Sequence, residues 1–469
     1  MKNYSRKKGK KGVFREWEKI ENVFQRFFSN FEKRDYAAIL LITMYILIFF
    51  KPVVSGDGFS YHAIMEGLVR DHTLNLTNQR GYDNFSGMND IELYNKTGIY
   101  NVHYFPGLSL VSSPIYMVSL FLDDFPVFHI KDDFFLRERG DILIHMASIP
   151  VTSLIFLYAG LFLTLFLLKR YYSKKYAWMV VLLVFFLTPL VRYGAYDLSY
   201  THAVEVGFMS ILVLMILRDS RKELIGLIIG FLSILKYSHV VFIVPFIGYY
   251  LYRKEYRDVL RLLAGFAPFI VFILVYNTLV FGGPLSVGPI YEYQLSVSSF
   301  FAGFLWEMIF GRGGILWWSP GILISLMGLI FIKDRKTRFL LISIFLIYAY
   351  VIGCFEGWHS GCGYGNRYFI LFFPIYCIGL IHLFKRFSAS RYRNLFCALL
   401  VLLVAYNLLL SLSFLAFPPD CQRVVPVSVL DYWAHMTNFQ DLANLPDLIF
   451  KKIGIIRFLF EIGRPALVT

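Results

Sequence analysis

Long apolar stretches, separated by short polar connectors, occupy most of the chain from residue 36 to residue 417. Leu, Ile, Val and Phe dominate them, and about 20 such residues suffice for a helix to cross a bilayer. Transmembrane β-strands would appear instead as short segments of alternating polarity. The pattern therefore predicts an all-α integral membrane protein. The apolar stretches lie at 36–54, 145–168, 177–194, 203–217, 259–281, 314–332, 339–354, 368–384 and 395–417.

One further stretch, 224–252, has charged residues at both ends and is interrupted by LKYSH at 235–239. Two full spans need about 40 residues, more than this stretch contains. We interpret it as a hairpin of two short helices with Lys236 at the tip. Its polar backbone would be tolerated only where it is buried in protein or faces a water-filled cavity. With this hairpin, the chain is expected to contain about 11 transmembrane segments.

Composition and charge agree with a membrane protein. Only 17% of the residues are charged, against about 25% in soluble domains. The net charge of +14 arises from basic residues at the edges of apolar stretches, which is typical of cytoplasmic connectors facing membrane lipids rather than of nucleic-acid binding. The positive-inside rule places the N-terminus inside and the C-terminus outside. The basic connectors, predicted to be cytoplasmic, are 169–175, 218–223, 253–258, 333–338 and 385–393.

The polar ends and one long connector divide the chain further. Residues 1–34 are basic and carry apolar positions at helical spacing, which favours an amphipathic helix on the cytoplasmic surface over a disordered arm. Residues 35–417 are expected to form one transmembrane domain. Within it, 55–143 is a long first extracytoplasmic loop, and its apolar part at 107–122 is expected to lie along the membrane face as a juxtamembrane helix. Residues 418–469 are expected to form an extracytoplasmic tail.

The first candidate for chemistry is Asp57, in SGDGFSYH directly after the first span. A carboxylate on the outer side can act as general base toward an acceptor hydroxyl. Gly56 and Gly58 leave its backbone unhindered, and Tyr61 and His62, one turn later, are candidate substrate contacts. The alternative role of Asp57 is a helix N-cap, since a helical pattern follows it.

Two more outer segments carry polar and aromatic residues. In YNVHYFPGLSLVSSPIY (100–116), His103 can donate to a phosphate and Tyr104 can stack on a sugar, although an interfacial aromatic belt would look alike. In RYGAYDLSYTH (192–202), the candidate substrate contacts are Tyr196, Asp197 and His202. Ionisable residues near a membrane are costly unless they serve a function.

Three cations are candidates for binding a phosphate: Lys236 at the hairpin tip, Arg312 in GRGGILWWSPG, and Arg367 in EGWHSGCGYGNRYF. Arginine binds phosphate oxygens in a bidentate manner. Trp358 and His359, in the same loop as Arg367, are candidate substrate contacts. The alternatives are a snorkelling lysine and solvated loop arginines.

These strings, taken in order, resemble the GT-C superfamily, and in particular the dolichyl-phosphate-mannose protein mannosyltransferase and aminoarabinose transferase group. The resemblance covers roughly 36–417 and rests on order and topology, since no single string is specific. The matching parts are Asp57 in the first outer loop, HYFPGLSLVSSPIY, Asp197 after the third span, GFLSILKYSHVVFIVP, YNTLVFGGP with GRGGILWWSPGIL, and GWHSGCGYGNRY.

The resemblance implies a glycosyltransferase that moves a sugar from a polyprenyl-phosphate carrier to a lipid, glycan or protein acceptor on the extracytoplasmic face. Asp57 would be the single general base of an inverting reaction, and Lys236, Arg312, Arg367 and His103 would bind the donor. The protein would lie in the inner membrane of a prokaryote.

One departure from the group concerns metals. Many members have an Asp-Glu pair where this chain has Asp57-Gly58, so the second acid of a two-carboxylate metal site is missing. The five cysteines show no metal-ligand spacing either, and no cofactor is expected. The other functions to be weighed are a transporter or flippase of lipid-linked sugars, a polymerase or ligase that uses them, and a non-catalytic membrane scaffold.

Overall fold

A computed structural model describes most of the chain, and 77% of the described residues are helical. The described residues are 29, 31–82, 91–122, 143–286, 304–359, 363–419 and 428–450. Most of the predicted amphipathic helix at the N-terminus lies outside them. Within the described residues, the sheet consists of two antiparallel strands, β1 (Glu92–Tyr94) and β2 (Ile99–Asn101).

The helices follow one another with short connections. In the first half they are α1 (Lys33–Phe49), α2 (Asp57–Val69), α3 (Gly107–Leu122), α4 (Leu143–Met146), α5 (Ser148–Leu167), α6 (Ala177–Leu187), α7 (Leu190–Tyr193), α8 (His202–Leu217) and α9 (Lys222–Leu235). In the second half they are α10 (Ile243–Tyr252), α11 (Tyr256–Phe281), α12 (Phe304–Phe310), α13 (Ile315–Trp318), α14 (Pro320–Met327), α15 (Arg335–Gly353), α16 (Phe373–Ser388), α17 (Arg393–Ala416), α18 (Val429–Thr437) and α19 (Phe439–Phe450).

The protein is a multi-pass integral membrane protein. Among the described residues, five helices are long and apolar enough to cross a bilayer: Ile144–Tyr172, Tyr256–Phe281, Arg335–Gly353, Arg367–Ser388 and Arg393–Ala416. The bent pair Phe304–Trp318 and Pro320–Phe331 makes the number six when it counts as one span, and shorter apolar helices accompany them. The larger total of about 11 segments stays a prediction.

Two of the predicted continuous spans are interrupted. The helix predicted at 177–194 ends at Leu187, and Thr188 adopts extended backbone angles. The span predicted at 314–332 bends by 98° where Ser319 leaves the helical region. In both cases the next residue is a proline, Pro189 or Pro320, and proline disfavours helical geometry in the residue before it.

The predicted cytoplasmic connectors meet at one end of the helix bundle. Buried Lys169 pairs with Asp35 at the start of α1. Lys336 binds Asp219 at 2.6 Å, and the Arg386 guanidinium lies 5.8 Å from the Phe331 ring. With the hydrogen bond that the Lys385 ammonium donates to the Tyr172 carbonyl, these contacts link 169–175, 218–223, 333–338 and 385–393 into one basic face, in agreement with the positive-inside assignment.

The hairpin predicted at 224–252 is confirmed. Lys236 has extended backbone angles (φ −158°, ψ 131°) and ends α9. The Lys222 ammonium at the start of the hairpin lies 5.5 Å from the ring of Tyr250 at its end. Because both ends lie at the basic face, Lys236 lies toward the opposite end of the bundle, which we call the outer end.

Close backbone packing fixes the hairpin against its neighbour α11. A Cβ on Gly226 would overlap the backbone oxygen of Leu262, and one on Gly265 would overlap that of Glu223. Small residues at such crossings let membrane helices approach closely. The first arm of the hairpin is therefore held rigidly, and so is the position at which Lys236 leaves it.

The outward faces of several helices are apolar and exposed, which suits a lipid environment and would be an aggregation hazard in water. On α1 the exposed residues are Leu40, Leu41, Met44, Leu47 and Ile48, and on α11 they are Leu260, Val271, Val275 and Leu279. The tail packs against α17, where the Tyr432 ring stacks on Phe414 at 5.3 Å. The part of the tail that is described thus packs against the helix bundle, and its predicted extracytoplasmic location stays a prediction.

Candidate active site

The turn between α1 and α2 lies at the outer end and is tied to the segment before α8. The Ser55 amide donates to Ser199 Oγ at 3.1 Å, and Ser199 Oγ donates to the Ser55 carbonyl at 3.0 Å. Gly56 has φ +53°, in the left-handed region. A Cβ on Gly56 would overlap the Tyr200 hydroxyl, and one on Gly58 would lie 2.5 Å from the Ser199 Cβ. The space that these glycines leave is filled by protein.

Asp57 is the first residue of α2, and Gly56 is its N-cap, so the alternative role of Asp57 as an N-cap is wrong. An acidic residue in the first helical turn is still favoured by the helix dipole. The Asp57 carboxylate binds Arg367 Nη2 at 3.1 Å, and the two side chains are only 16% and 12% exposed. The Arg367 guanidinium also lies 4.7 Å from the centre of the Tyr200 ring.

A second acid lies close by, and the sequence analysis missed it. Glu205, in the first turn of α8, is fully buried, and its Oε1 lies 3.6 Å from Lys236 Nζ. Thr201 Oγ1 donates to Glu205 Oε1 at 2.5 Å, and His202 Nδ1 lies 3.2 Å from Oε2. A lone acid inside an apolar stretch is itself a sign of function. The string HAVEVGF (202–208) contains such an acid, so Glu205 could have been identified from the sequence.

The two ion pairs are neighbours. The Lys236 ammonium lies 4.8 Å from the ring of Tyr368, the residue after Arg367. Lys236 is also within electrostatic range of Arg367 and Asp57. We call Asp57, Arg367, Glu205 and Lys236 the four-charge cluster; it holds two acids and two cations at the outer end.

The predicted donor contact His103 lies in the loop before α3, close enough to this cluster for the charge on Asp57 to act on it. His103 is 8% exposed, and its ring lies 4.1 Å from that of Tyr104, which in turn lies 5.2 Å from the Tyr61 ring. Burial lowers the pKa of His103 to about 4, although the charge on Asp57 acts in the opposite direction. The imidazole is therefore neutral at pH 7 and within electrostatic range of Asp57.

Several predicted site residues lie elsewhere. The Arg312 side chain is exposed, and its carbonyl accepts a hydrogen bond from the Val429 amide at 3.3 Å. Asp197 pairs with Arg192 within its own turn at 2.6 Å, and Arg192 lies 5.0 Å from the Tyr196 ring. Arg192, Tyr196 and Asp197 form their own group near the outer end.

Three other predicted substrate contacts pack against aromatic side chains of the protein. Trp358 is 3% exposed and belongs to the hydrophobic core, with the half-buried His359 ring at 5.7 Å. His62 is 1% exposed, and its ring lies edge-on to Tyr116 at 5.8 Å. Their contacts are with protein side chains.

Asn366, beside Arg367, is a further residue that the sequence analysis missed. It is 2% exposed, and neither polar atom of its side-chain amide has a hydrogen-bond partner in the described part of the chain. Buried amides are normally hydrogen-bonded.

The described residues contain no group of three or more His, Cys, Asp or Glu side chains placed to hold a metal ion.

Comparisons with known proteins give a limited result. No family model matches the sequence, and no curated protein matches it. One similar solved structure is the crystal structure of ArnT from Cupriavidus metallidurans in the apo state, with 11% identity and a TM-score of 0.48. The alignment covers 92% of this chain and 74% of that one. A similarity this low carries no argument about activity.

Proposed function

We propose that this protein is a membrane glycosyltransferase that takes a sugar from a polyprenyl-phosphate carrier and transfers it to an acceptor hydroxyl on the extracytoplasmic face. The observation that supports the proposal is the four-charge cluster. It combines a helix-start carboxylate, Asp57, with two cations, Arg367 and Lys236, at the end opposite the basic connectors. A hydroxyl acceptor needs a base, and a lipid-phosphate leaving group needs cations at bilayer level.

The donor is a phosphodiester with one negative charge. In the proposed complex its phosphate oxygens bind the Arg367 guanidinium and the Lys236 ammonium, and the neutral His103 ring donates a hydrogen bond. The phosphate competes with Asp57 for Arg367, since that cation binds the Asp57 carboxylate at 3.1 Å in the unliganded protein. Asp57 is then released to face the acceptor.

In the reaction, Asp57 takes the proton of the acceptor hydroxyl. The acceptor oxygen attacks the anomeric carbon from the side opposite the phosphate, so the configuration inverts. The bond between that carbon and the phosphate oxygen breaks, and its electron pair leaves with the polyprenyl phosphate. Arg367 and Lys236 stabilise the second negative charge that develops on the departing phosphate, which is where preorganised cations have their largest effect.

A flippase of lipid-linked sugars is the second candidate, because a buried acid within an apolar helix, such as Glu205, is typical of transport pathways. Glu205 lies only in the first turn of α8, however, and the cluster is at one end of the bundle rather than midway along it. Transporters usually place their sites near the bilayer midplane. The position of the cluster therefore favours the transferase.

The test is the turnover of purified protein with a polyprenyl-phosphate sugar, measured as released polyprenyl phosphate. Lipid extracts of cells with and without the protein identify the donor, because the unused carrier accumulates in its absence. We expect Asp57→Asn to lower turnover by about 10²–10⁴-fold, the usual contribution of a general base.

The matched control is Asp35→Asn, which removes a buried carboxylate from its lysine partner at the basic face. It should lower stability and leave the turnover per folded molecule unchanged. The proposal fails if the folded Asp57→Asn protein keeps more than about a tenth of the wild-type rate. It also fails if the wild-type protein moves lipid-linked sugars across vesicles without transferring the sugar.

A further inference from the structure

We infer that Glu205 is a positioning residue for Lys236: its buried carboxylate fixes the lysine ammonium beside Arg367, where both cations meet the phosphate of a lipid-linked donor. This inference rests on the proposed function. It concerns how the phosphate site is preorganised, and Glu205 itself does not touch the substrate.

Contacts other than that with Lys236 hold the Glu205 carboxylate in place. Glu205 is 0% exposed, and both of its oxygens have side-chain partners on the same helix turn, Thr201 at 2.5 Å and His202 at 3.2 Å. These contacts orient the carboxylate from one side. Lys236 Nζ approaches Oε1 at 3.6 Å from the hairpin that packs beside α8.

Without such a partner, the ammonium of a lysine would not be held in one position for binding a phosphate. Its four-carbon stem is flexible, and a lysine at a membrane surface usually extends its ammonium toward water. Here the Lys236 side chain is only 17% exposed, and its ammonium lies over the Tyr368 ring at 4.8 Å. Glu205 therefore opposes the extension into solvent and keeps the charge near Arg367.

Packing on both sides of Lys236 in the sequence fixes its backbone. A Cβ on Gly107, at the start of α3, would overlap the backbone of Ile234, two residues before the lysine. Beyond the lysine, His239 Nδ1 lies 3.0 Å from the Leu232 carbonyl, which ties the tip to the preceding helix. With the backbone fixed, the side-chain direction is the remaining freedom, and Glu205 removes it.

The experiment measures binding of undecaprenyl phosphate to the purified full chain in nanodiscs, together with KM and kcat for a polyprenyl-phosphate sugar. Glu205→Gln keeps the shape and removes the charge. We expect the dissociation constant and KM to rise about 3- to 30-fold, because binding must then restrict the lysine rotamers that Glu205 restricts in advance. Glu205→Asp keeps the charge and should give an intermediate value. In both variants kcat should change less than KM.

Two further variants separate positioning from a purely structural role. In Lys236→Ala protein, adding Glu205→Gln should cause no additional loss of binding, because the residue to be positioned is gone. Asp35→Asn breaks another buried lysine–carboxylate pair, at the basic face, and should lower the melting temperature while leaving undecaprenyl phosphate binding unchanged. If Glu205→Gln does not fold, Glu205→Asp and the same double-variant comparison made with it decide the question.

The outcomes are distinct. Unchanged or tighter binding in folded Glu205→Gln would overturn the inference and leave the proposed function in place. A Glu205 carboxylate that only competes with the phosphate for Lys236 would weaken binding, so its removal would make binding tighter. If Glu205→Gln and Asp35→Asn weakened undecaprenyl phosphate binding equally, the inference would also be overturned, because the effect would then be one of general destabilisation. A wild-type protein that does not bind undecaprenyl phosphate would overturn the proposed function and this inference together.

Discussion

Replacement of Arg367 tests the phosphate site most directly. The guanidinium binds Asp57 at 3.1 Å, stacks near Tyr200 at 4.7 Å and is 12% exposed. Arg367→Lys keeps the charge and its partner Asp57, and loses the planar fork that matches two phosphate oxygens. Arg367→Ala removes the charge as well and leaves Asp57 without its cation.

The expected magnitude follows from these contacts. A hydrogen bond to a charged group contributes about 1.5–3 kcal/mol, so losing one phosphate contact in Arg367→Lys should raise the donor KM about 10- to 150-fold. Breaking a fully buried ion pair costs about 3–5 kcal/mol of stability. Asp57 is 16% exposed and lies at a helix start, so Arg367→Ala should lose less than that.

The assay compares donor KM and melting temperature in the same detergent. Arg192→Lys is the control, because Arg192 and Asp197 form a pair of similar exposure, 10% and 13%, at 2.6 Å. It should change stability by an amount similar to Arg367→Lys and leave the donor KM unchanged. An Arg367→Ala protein that folds and binds donor like the wild type would reduce the loop to a structural turn and refute the phosphate site.

Three further predictions test topology, charge state and packing. A reporter fused after residue 420 should be active only outside the cytoplasm; activity inside would overturn the topology. The pKa of His103 is about 4 and that of an unfolded histidine about 6.5, so the unfolded state binds more protons as the pH falls. The wild-type melting temperature should then fall more than that of His103→Gln between pH 7 and pH 5, and equal falls would contradict the burial of this ring. Gly107→Ala should lower the melting temperature because its Cβ would overlap Ile234, whereas Gly248→Ala, with open space around it, should be neutral or stabilising.

The sequence allowed much of the membrane architecture to be predicted, because hydropathy and basic connectors are local signals. The hairpin with Lys236 at its tip was predicted from its length and flanking charges. The interruptions before Pro189 and Pro320 were missed although both prolines were visible, because the apolar runs on either side appeared continuous. The conformational restriction of the residue before proline therefore predicts helix breaks that the hydropathy pattern does not show.

The residues of the candidate site were singled out separately from the sequence, and their assembly was not predicted. Asp57 and Arg367 each had an independent argument, but their pairing at 3.1 Å is a tertiary contact. The surroundings of Trp358 are likewise set by tertiary packing: this tryptophan of a glycine-rich loop was predicted to contact substrate, and its side chain is 3% exposed in the core. Gly56 and Gly58 were expected to leave the backbone of Asp57 unhindered, and Tyr200 and Ser199 occupy the space beside them. Residue type alone does not reveal which side of a loop faces the protein.

The composition of the four-charge cluster follows from where it lies. Two unpaired cations held at bilayer level before the donor arrives would be costly, since buried charges need partners. Asp57 and Glu205 supply those partners at 3.1 Å and 3.6 Å, so the unliganded cluster is neutral overall. On the proposed function, a phosphate replaces the acid that is more exposed and at a helix start, Asp57, while fully buried Glu205 stays with Lys236. The same acid that stabilises Arg367 in the empty site is then released as the base at the moment when the donor is in place.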